Sequence, residues 1–342
     1  MVHRNPQELN DNKNLVSILQ WIAFARRPLT PWDLYFAVRS GDSDFHISQV
    51  WSPNGVDLET MKLFILNCSK GLAELTTLTS DHGTITVQFI HESVRNFLRE
   101  TGFEVLTLRR DRLLLGSAHS HLQHCCSRWV TTDLLEHMQA RPIDAAPVPL
   151  LRYVIEHMTD HMTLAYTNGV PQEDCLKHFP LEVWTALARF FRRWYFPRQQ
   201  HEPPVSLTEV LILHGATVLL EIELRLTGCR LLSYQYESAL RNAISQDALK
   251  TVELLLDQGA PSDKSVEQQT ETLVCAVERG NIAALELLFQ RRKQTVPLQY
   301  YATVLAKAAD EAEDLVKVVL DNIEIPMKSN PEIDSAIESK FL

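Results

Sequence analysis

Histidine and cysteine gather in two stretches of this chain: His119, His121, His124, Cys125 and Cys126, and then His157 and His161. Four residues apart, His157 and His161 would share one face of a helix, as two ligands of a zinc ion do. A zinc site needs three or four ligands converging as a tetrahedron. The glutamate that follows the first histidine of a zinc-protease helix is absent, since position 158 is Met158. The spacing reads as ordinary helix histidines, partly buried and hydrogen-bonded, and no metal site is assigned. His91, Glu92 and Ser93 have the side chains of nucleophilic catalysis. Immediate neighbours on a helix point in different directions, and no strained nucleophile turn surrounds Ser93. His91 and Glu92 are expected to open a helix in which Val94, Phe97 and Leu98 pack. No catalytic residue is assigned and no enzymatic activity is expected.

Two constellations could meet nucleic acid. Arg189, Arg192, Arg193 and Arg198 interleave with Phe190, Phe191, Trp194, Tyr195 and Phe196. Such a mixture can stack bases and hold phosphates. The aromatics are contiguous enough to form a core plug, with the arginines reaching outward, and that reading is preferred. The second is the segment 59–70, which could lie in a major groove. It offers only Lys62 and Lys70 as cations, beside Asp57 and Glu59. With a net charge of −10, the chain repels a phosphate backbone on average. DNA is therefore disfavoured as a partner.

The elements that position these residues can be read from composition and pattern. A hydrophobic fraction of 45% with 22% charged residues is that of a globular chain with a large core. Glycine is scarce, 11 in all, and neither the P-loop pattern nor Gly-x-Gly-x-x-Gly occurs. No nucleotide, cofactor or small-molecule substrate is expected. The six cysteines contain no Cys-x-x-Cys, and adjacent Cys125 and Cys126 are poorly placed to pair. The first residues lack the apolar core of a signal peptide, and no apolar run is long enough to span a membrane. Reduced thiols in the cytoplasm, with the nucleus as the alternative, are the expectation.

Residues 1–13 are polar and expected to fray. From Asn14 the pattern is helical, with Leu15, Ile18, Leu19, Ile22 and Ala25 on one stripe, and it stops before Pro28. Thr30, Pro31 and Asp33 form a start signal: a cap, a first-turn proline and an acid at the positive helix end. Gly41 can end that helix. A loop at 42–54, with a turn at 53–55, leads to a third helix over 58–67, with Met61, Phe64, Ile65 and Cys68 facing in. Two strands come next, 72–78 and 84–90, joined by a turn at 80–83. Ile85, Val87 and Phe89 alternate with Thr84, Thr86 and Gln88. A helix over 91–99 stops at Thr101 and Gly102. Helices are then expected over 109–126, 150–166 and 181–194, with a loop at 142–149 and a linker at 197–204.

Near the C-terminus the sequence repeats with a period of about 33 residues. Leu240, Ala243, Val252 and Leu255 return as Leu273, Ala276, Leu285 and Leu288, and again near Leu305, Ala308 and Val319. A weaker unit precedes them at 210–228. Such stacked two-helix repeats are binding surfaces with no catalytic group built in.

This order of elements resembles the C-terminal half of fungal NACHT–ankyrin proteins, relatives of NOD-like receptors. The stretches that carry it are Leu-Gln-Trp-Ile-Ala-Phe-Ala-Arg-Arg-Pro-Leu-Thr (19–30), Ser-Lys-Gly-Leu-Ala-Glu-Leu (69–75) and Val-Gln-Phe-Ile-His-Glu-Ser-Val-Arg-Asn-Phe-Leu (87–98). Two more are Leu-Leu-Arg-Tyr-Val-Ile-Glu-His-Met-Thr-Asp-His (150–161) and Leu-Leu-Leu-Asp-Gln-Gly-Ala (254–260). The resemblance covers about 14–322. It implies a mainly α fold of a winged-helix domain (14–102), a helical connector (105–200) and a short, degenerate ankyrin-repeat solenoid (205–325). It implies a non-enzymatic protein–protein interaction module, the sensor or scaffold arm of a signalling protein whose partner docks on the repeats. The inter-repeat loops at 261–269 and 291–296 are where contact is expected. In a full receptor that docking would bias open and closed states. The alternative is an ankyrin-repeat transcriptional co-regulator acting in the nucleus. The family's NACHT domain would lie before residue 14, so its nucleotide chemistry falls on no residue here. The chain is expected to be either a fragment of a longer receptor or a stand-alone interaction protein.

Overall fold

The structure is a computed structural model that describes residues 6–51, 56–77, 84–107, 114–140, 148–195, 206–228, 233–259, 266–291 and 298–322. The expected turns at 53–55 and 80–83, the linker at 197–204, most of the loop at 142–149 and the tail from Pro326 lie outside the described residues. The fold is mainly α-helical, with a two-stranded antiparallel sheet. The chain divides into two units, residues 1–205 and 206–342.

In the first unit, helix α1 (Pro6–Phe24) begins inside the polar stretch expected to fray. Ile18 and Leu19 are buried as the stripe requires, but the largest buried side chain of this helix is Trp21, which is not among the stripe residues. Helix α2 (Pro31–Arg39) starts on the expected signal: Thr30 Oγ1 accepts from Asp33 N at 3.1 Å. A 3-10 turn over Ile47–Trp51 interrupts the expected loop. Helix α3 (Leu58–Cys68) is capped by Asp57, which accepts from Thr60 N at 2.7 Å. Met61 and Ile65 are buried, whereas Phe64 and Cys68 are only half-buried or less.

Strands β1 (Ala73–Thr77) and β2 (Ile85–Phe89) pair with Ala73 opposite Phe89 and Leu75 opposite Val87. Leu29 O accepts from Val87 N at 2.9 Å, adding a bridge on the outer side of β2. Val87 and Phe89 are buried and Gln88 is exposed, as the alternation predicts, but Thr86 is buried as well.

The chain continues past Gly102. Helix α4 (Glu92–Phe97) runs into a π-helical turn (Leu98–Gly102) and then into helix α5 (Phe103–Thr107). The expected packing of Phe97 is corrected: it is 53% exposed, Val94 is half-buried, and Leu98 alone of the three is buried. The extra residue of a π turn rotates the downstream residues around the axis, so Phe103 turns inward instead. Gly102 suits this tight passage, because a Cβ there would sit 2.9 Å from the Phe97 ring and from Leu98.

Helices α6 (Leu114–Ser127), α7 (Thr132–Ala140), α8 (Leu151–Thr167), α9 (Glu173–Lys177) and α10 (Leu181–Tyr195) complete this unit. Two of them, α7 and α9, are short and have no counterpart among the elements read from the sequence. Helices α6 and α8 pack closely at Gly116, where a Cβ would lie 2.5 Å from Asn168 O. This helical segment is tied to the first three helices. Leu150 N donates to Asp33 Oδ1 at 2.7 Å, and Arg128 donates to Phe45 O at 2.7 Å and also to Asp42 O. Trp129 packs edge-on against Phe36.

The second unit is a stack of helix pairs: α11 (Leu207–Leu213) with α12 (Thr217–Thr227), α13 (Ser233–Ser245) with α14 (Leu249–Gln258), α15 (Val266–Glu278) with α16 (Ile282–Arg291), and α17 (Leu298–Glu311) with α18 (Glu313–Asn322). First helices contact first helices and second helices contact second helices along the stack. The positions expected in the core by spacing, Leu240, Ala243, Val252, Leu255, Leu273, Ala276, Leu285 and Leu288, are all buried. The small alanines at 243, 276 and 308 lie among the first helices, which pack along the stack. The expected loop at 261–269 is shorter than read, since α15 begins at Val266 and buries Gln269.

Within each of the first three pairs the two helices join through the same turn. Ala216 N donates to Leu211 O at 2.8 Å, Ala248 N to Ala243 O at 2.9 Å, and Asn281 N to Ala276 O at 2.9 Å. The residue before each donor is left-handed: Gly215, Asp247 and Gly280, at φ 62°, 55° and 62°. This is the helix-ending motif in which a 6→1 bond satisfies an orphan carbonyl and glycine or asparagine is favoured. In the fourth pair Ala312 N instead donates to Ala308 O in an ordinary helical step.

Candidate functional site

The histidines singled out by spacing do not converge as one group. His157 Nδ1 bonds Asp160 Oδ2 at 2.9 Å, while His161, one turn on, is fully buried and faces another way. Arg26 N donates to Tyr153 Oη at 3.0 Å. That leaves the phenol proton to be donated to His161 Nε2 at 2.7 Å. His161 then carries its proton on Nδ1 and donates to His119 Nδ1 at 2.9 Å, so His119 is protonated on Nε2. Both imidazoles are neutral in this arrangement. Burial pushes His161 down to about 3, reinforced by His119. Burial also lowers His119 to about 4, with the positive charges of Arg26 and Arg99 adding to it. Burial raises the Tyr153 phenol, so it stays protonated. The chain of groups is sealed, with Trp21 edge-on to both Tyr153 and His161. It clamps the α1–α2 connection to α6 and α8. The sequence pointed to His119 and His161 separately but not to their pairing or to Tyr153, because a contact between residues 42 positions apart leaves no local signature.

His121 accepts or donates to Ser17 Oγ at 3.1 Å and is lowered to about 4, chiefly by burial. Cys125 is pushed up to about 12 by burial and Cys126 is raised too, so neither is a ready thiolate. Among the described residues no three His, Cys, Asp or Glu side chains group as metal ligands.

His91 and Ser93 do meet, contrary to the expectation that they diverge. His91 is the cap rather than a helical residue: its Nδ1 accepts from Ser93 N at 3.1 Å and from Ser93 Oγ at 2.8 Å. The same device recurs where His46 Nδ1 meets Ser48 N at 3.3 Å and Ser48 Oγ at 2.8 Å ahead of the 3-10 turn. A His-x-Ser pair that opens two separate helical segments is a cap. Both His91 and Ser93 are exposed.

Of the arginine–aromatic run, Arg189 is exposed and Phe190 half-buried. The side chains of Phe191, Arg192, Arg193, Trp194, Tyr195, Phe196 and Arg198 lie outside the described residues. Lys62 is engaged by Glu59 at 2.7 Å, and Lys70 sits just past α3 in a left-handed turn at φ 54°. Helix α3 therefore presents no basic stripe.

The helix-pair stack carries polar bonds at the same period as its turns. Thr217 Oγ1 meets Thr251 Oγ1 at 2.6 Å, Gln246 Nε2 donates to Leu213 O at 2.8 Å, and Asn281 Nδ2 donates to Asp247 Oδ1 at 3.0 Å. Thr272 donates to buried Glu237 at 2.7 Å, and Arg241 reaches Glu271 at 3.0 Å. Helix α15 exposes Glu267, Glu271 and Glu278. Residues 206–342 hold 21 Asp and Glu against 13 Lys and Arg, so most of the chain's net negative charge resides there. Among the described residues no helix is long and apolar enough to cross a membrane.

Compared with known proteins, the chain matches no family model, no curated protein and no solved structure.

Proposed function

We propose that residues 206–322 are an ankyrin-type repeat array whose work is to hold another protein, and that residues 14–102 are a winged helix used as a packing module. In this reading the chain is the sensor or scaffold arm of a fungal NACHT–ankyrin signalling protein, acting in the cytoplasm without catalysis. The observation that carries it is the turn repeated at 211–216, 243–248 and 276–281, with the same bond and a left-handed residue at the same place each time. A fold that repeats its turn as well as its core is built by stacking one supersecondary unit. Three helices succeeded by an antiparallel hairpin support the winged-helix half of the reading. The excess of acids over bases in 206–342 makes a basic partner surface the complementary one.

The test uses the intact chain as bait and a variant in which Glu267, Glu271 and Glu278 become lysine. All three are exposed, so the fold should lose little. A protein retained by the native chain and weakened about tenfold or more by charge reversal is the expected outcome. A partner that binds both forms equally, or maps by cross-linking to residues before 206, would sink the proposal.

A further inference from the structure

The net-negative chain carries an arginine-lined cavity that opens to solvent. A cavity of about 300 Å³ opens where the end of α1, the 25–29 connection, β2 and α4 meet, and four arginines are among the residues that line it: Arg26, Arg27, Arg95 and Arg99. Three carboxylates approach them loosely. Asp160 lies 3.4 Å from Arg26, Asp33 3.4 Å from Arg27, and Glu92 3.4 Å from Arg95. Two of these acids are already engaged elsewhere, Asp33 by Leu150 N and Asp160 by His157. Arg99 has no ion pair among the described residues.

The donors are also held in place and under-used. The Arg27 guanidinium carbon lies 5.5 Å from the centre of the Tyr153 ring and that of Arg95 5.9 Å from that of Phe89, and Arg27 Nη1 also donates to Pro28 O at 3.2 Å. Arg27 Nε and Arg95 Nε are buried with no hydrogen-bond partner among the described residues. So is Nε1 of Trp21, a fully buried residue that lines the same cavity. About nine in ten or more buried N–H groups in folded proteins are paired. Unpaired donors around a polar hollow are what an absent acceptor leaves behind. Planar guanidinium forks match the oxygens of a phosphate, each taking two at once.

We propose that this cavity is a phosphate-binding site, held by Arg26, Arg27, Arg95 and Arg99 with the Trp21 indole as its inner wall. Its volume is at the small end of ligand pockets, so it suits orthophosphate or the phosphate end of a small metabolite. It is independent of the helix-pair surface and would stand if that surface held no partner.

Isothermal titration of the intact chain at physiological salt tests it, with inorganic phosphate, pyrophosphate and citrate as the probes. Phosphate or pyrophosphate is expected to bind with Kd at or below about 1 mM. Arg99→Gln and Arg26→Gln should each weaken that binding about tenfold or more. Both side chains reach solvent, so folding is preserved and is checked by circular dichroism. Lys250→Gln, on the exposed surface of α14, should change nothing. Pyrophosphate binding tighter than phosphate would identify a phosphorylated small molecule as the source. Equal or weaker pyrophosphate binding would identify the free ion. The proposal is overturned if neither phosphate probe binds, if both arginine variants bind as well as the native chain, or if citrate binds and the phosphates do not.

Discussion

Acid should unfold the first unit through its sealed histidines. His161 and His119 are held at about 3 and about 4 in the folded chain, below the ordinary histidine value of 6.5. A group whose folded pKa is depressed contributes stability in full above its unfolded pKa and loses it as the pH falls toward the folded value. The window for loss therefore runs from about 6.5 down to between 4 and 3. At pH 5 the solvent lies about 1.5 units below the unfolded pKa, which costs about 2 kcal/mol per imidazole at 1.36 kcal/mol per unit. The two rings are hydrogen-bonded to each other, so the pair costs about 2–4 kcal/mol. With a urea slope of roughly 2 kcal/mol per molar, the midpoint should fall by about 1–2 M between pH 7 and pH 5. The chain's six tryptophans all lie between residues 21 and 194, so tryptophan fluorescence in the intact protein reports this unit alone. The comparison is the double variant His119→Gln/His161→Gln, which keeps hydrogen-bonding groups but cannot take up protons. It should start less stable at pH 7 and lose less on acidification, keeping only the part that His121, also lowered to about 4 by burial, contributes. A native midpoint that stays level from pH 7 to 5, or a double variant with an undiminished pH slope, would refute the reasoning.

Other substitutions probe the packing. Gly116→Ala places a methyl 2.5 Å from Asn168 O and should lower the fluorescence-detected stability by about 1–3 kcal/mol, through separation of α6 from α8. Gly280→Ala meets no neighbour but must hold φ 62°. Far-UV circular dichroism should show a loss of about 1 kcal/mol with the tryptophan transition unmoved. Leu255→Ala removes a fully buried side chain from α14 and should cost about 2–5 kcal/mol by the same readout. Cys125 and Cys126 should be alkylated far more slowly than Cys68, Cys175 and Cys275 in the native chain. All three of those are partly exposed, and peptide mass spectrometry after timed iodoacetamide treatment would show the order.

Features built from neighbours in sequence were legible. The Thr30 cap and the Pro31 start can be read because capping needs only three or four residues. The core of the helix pairs can be read because its period is written several times over. Elements with weak or short patterns were not. Helices α7 and α9 have nine and five residues, too few for a periodic stripe to stand out. The passage through Gly102 reads as a stop because glycine usually ends helices, whereas here it admits a π turn. The sites were the least legible part. The hydrogen bond from Arg26 to Tyr153 spans 127 positions, and the arginine cavity joins residues 26–27 to 95–99 through β2. Nothing in the local pattern of Ala-Arg-Arg-Pro announces that a second pair of arginines will face it.

The π turn at Leu98–Gly102 sets the bearing of the residues that follow it. Phe103 packs on Phe24 with tilted rings whose centres are 5.3 Å apart, and the ring centres of Phe24 and His119 are 5.4 Å apart. Straightening this turn into an uninterrupted α-helix with every residue kept would carry the chain further around its axis. Every residue after it would then swing by about 100° around the axis. Phe103 would leave Phe24, and the exposed Val105 and Leu106 would sweep to new bearings. Deleting one residue at the same time would cancel that swing, so the turn stores one residue more than the face of this helix needs.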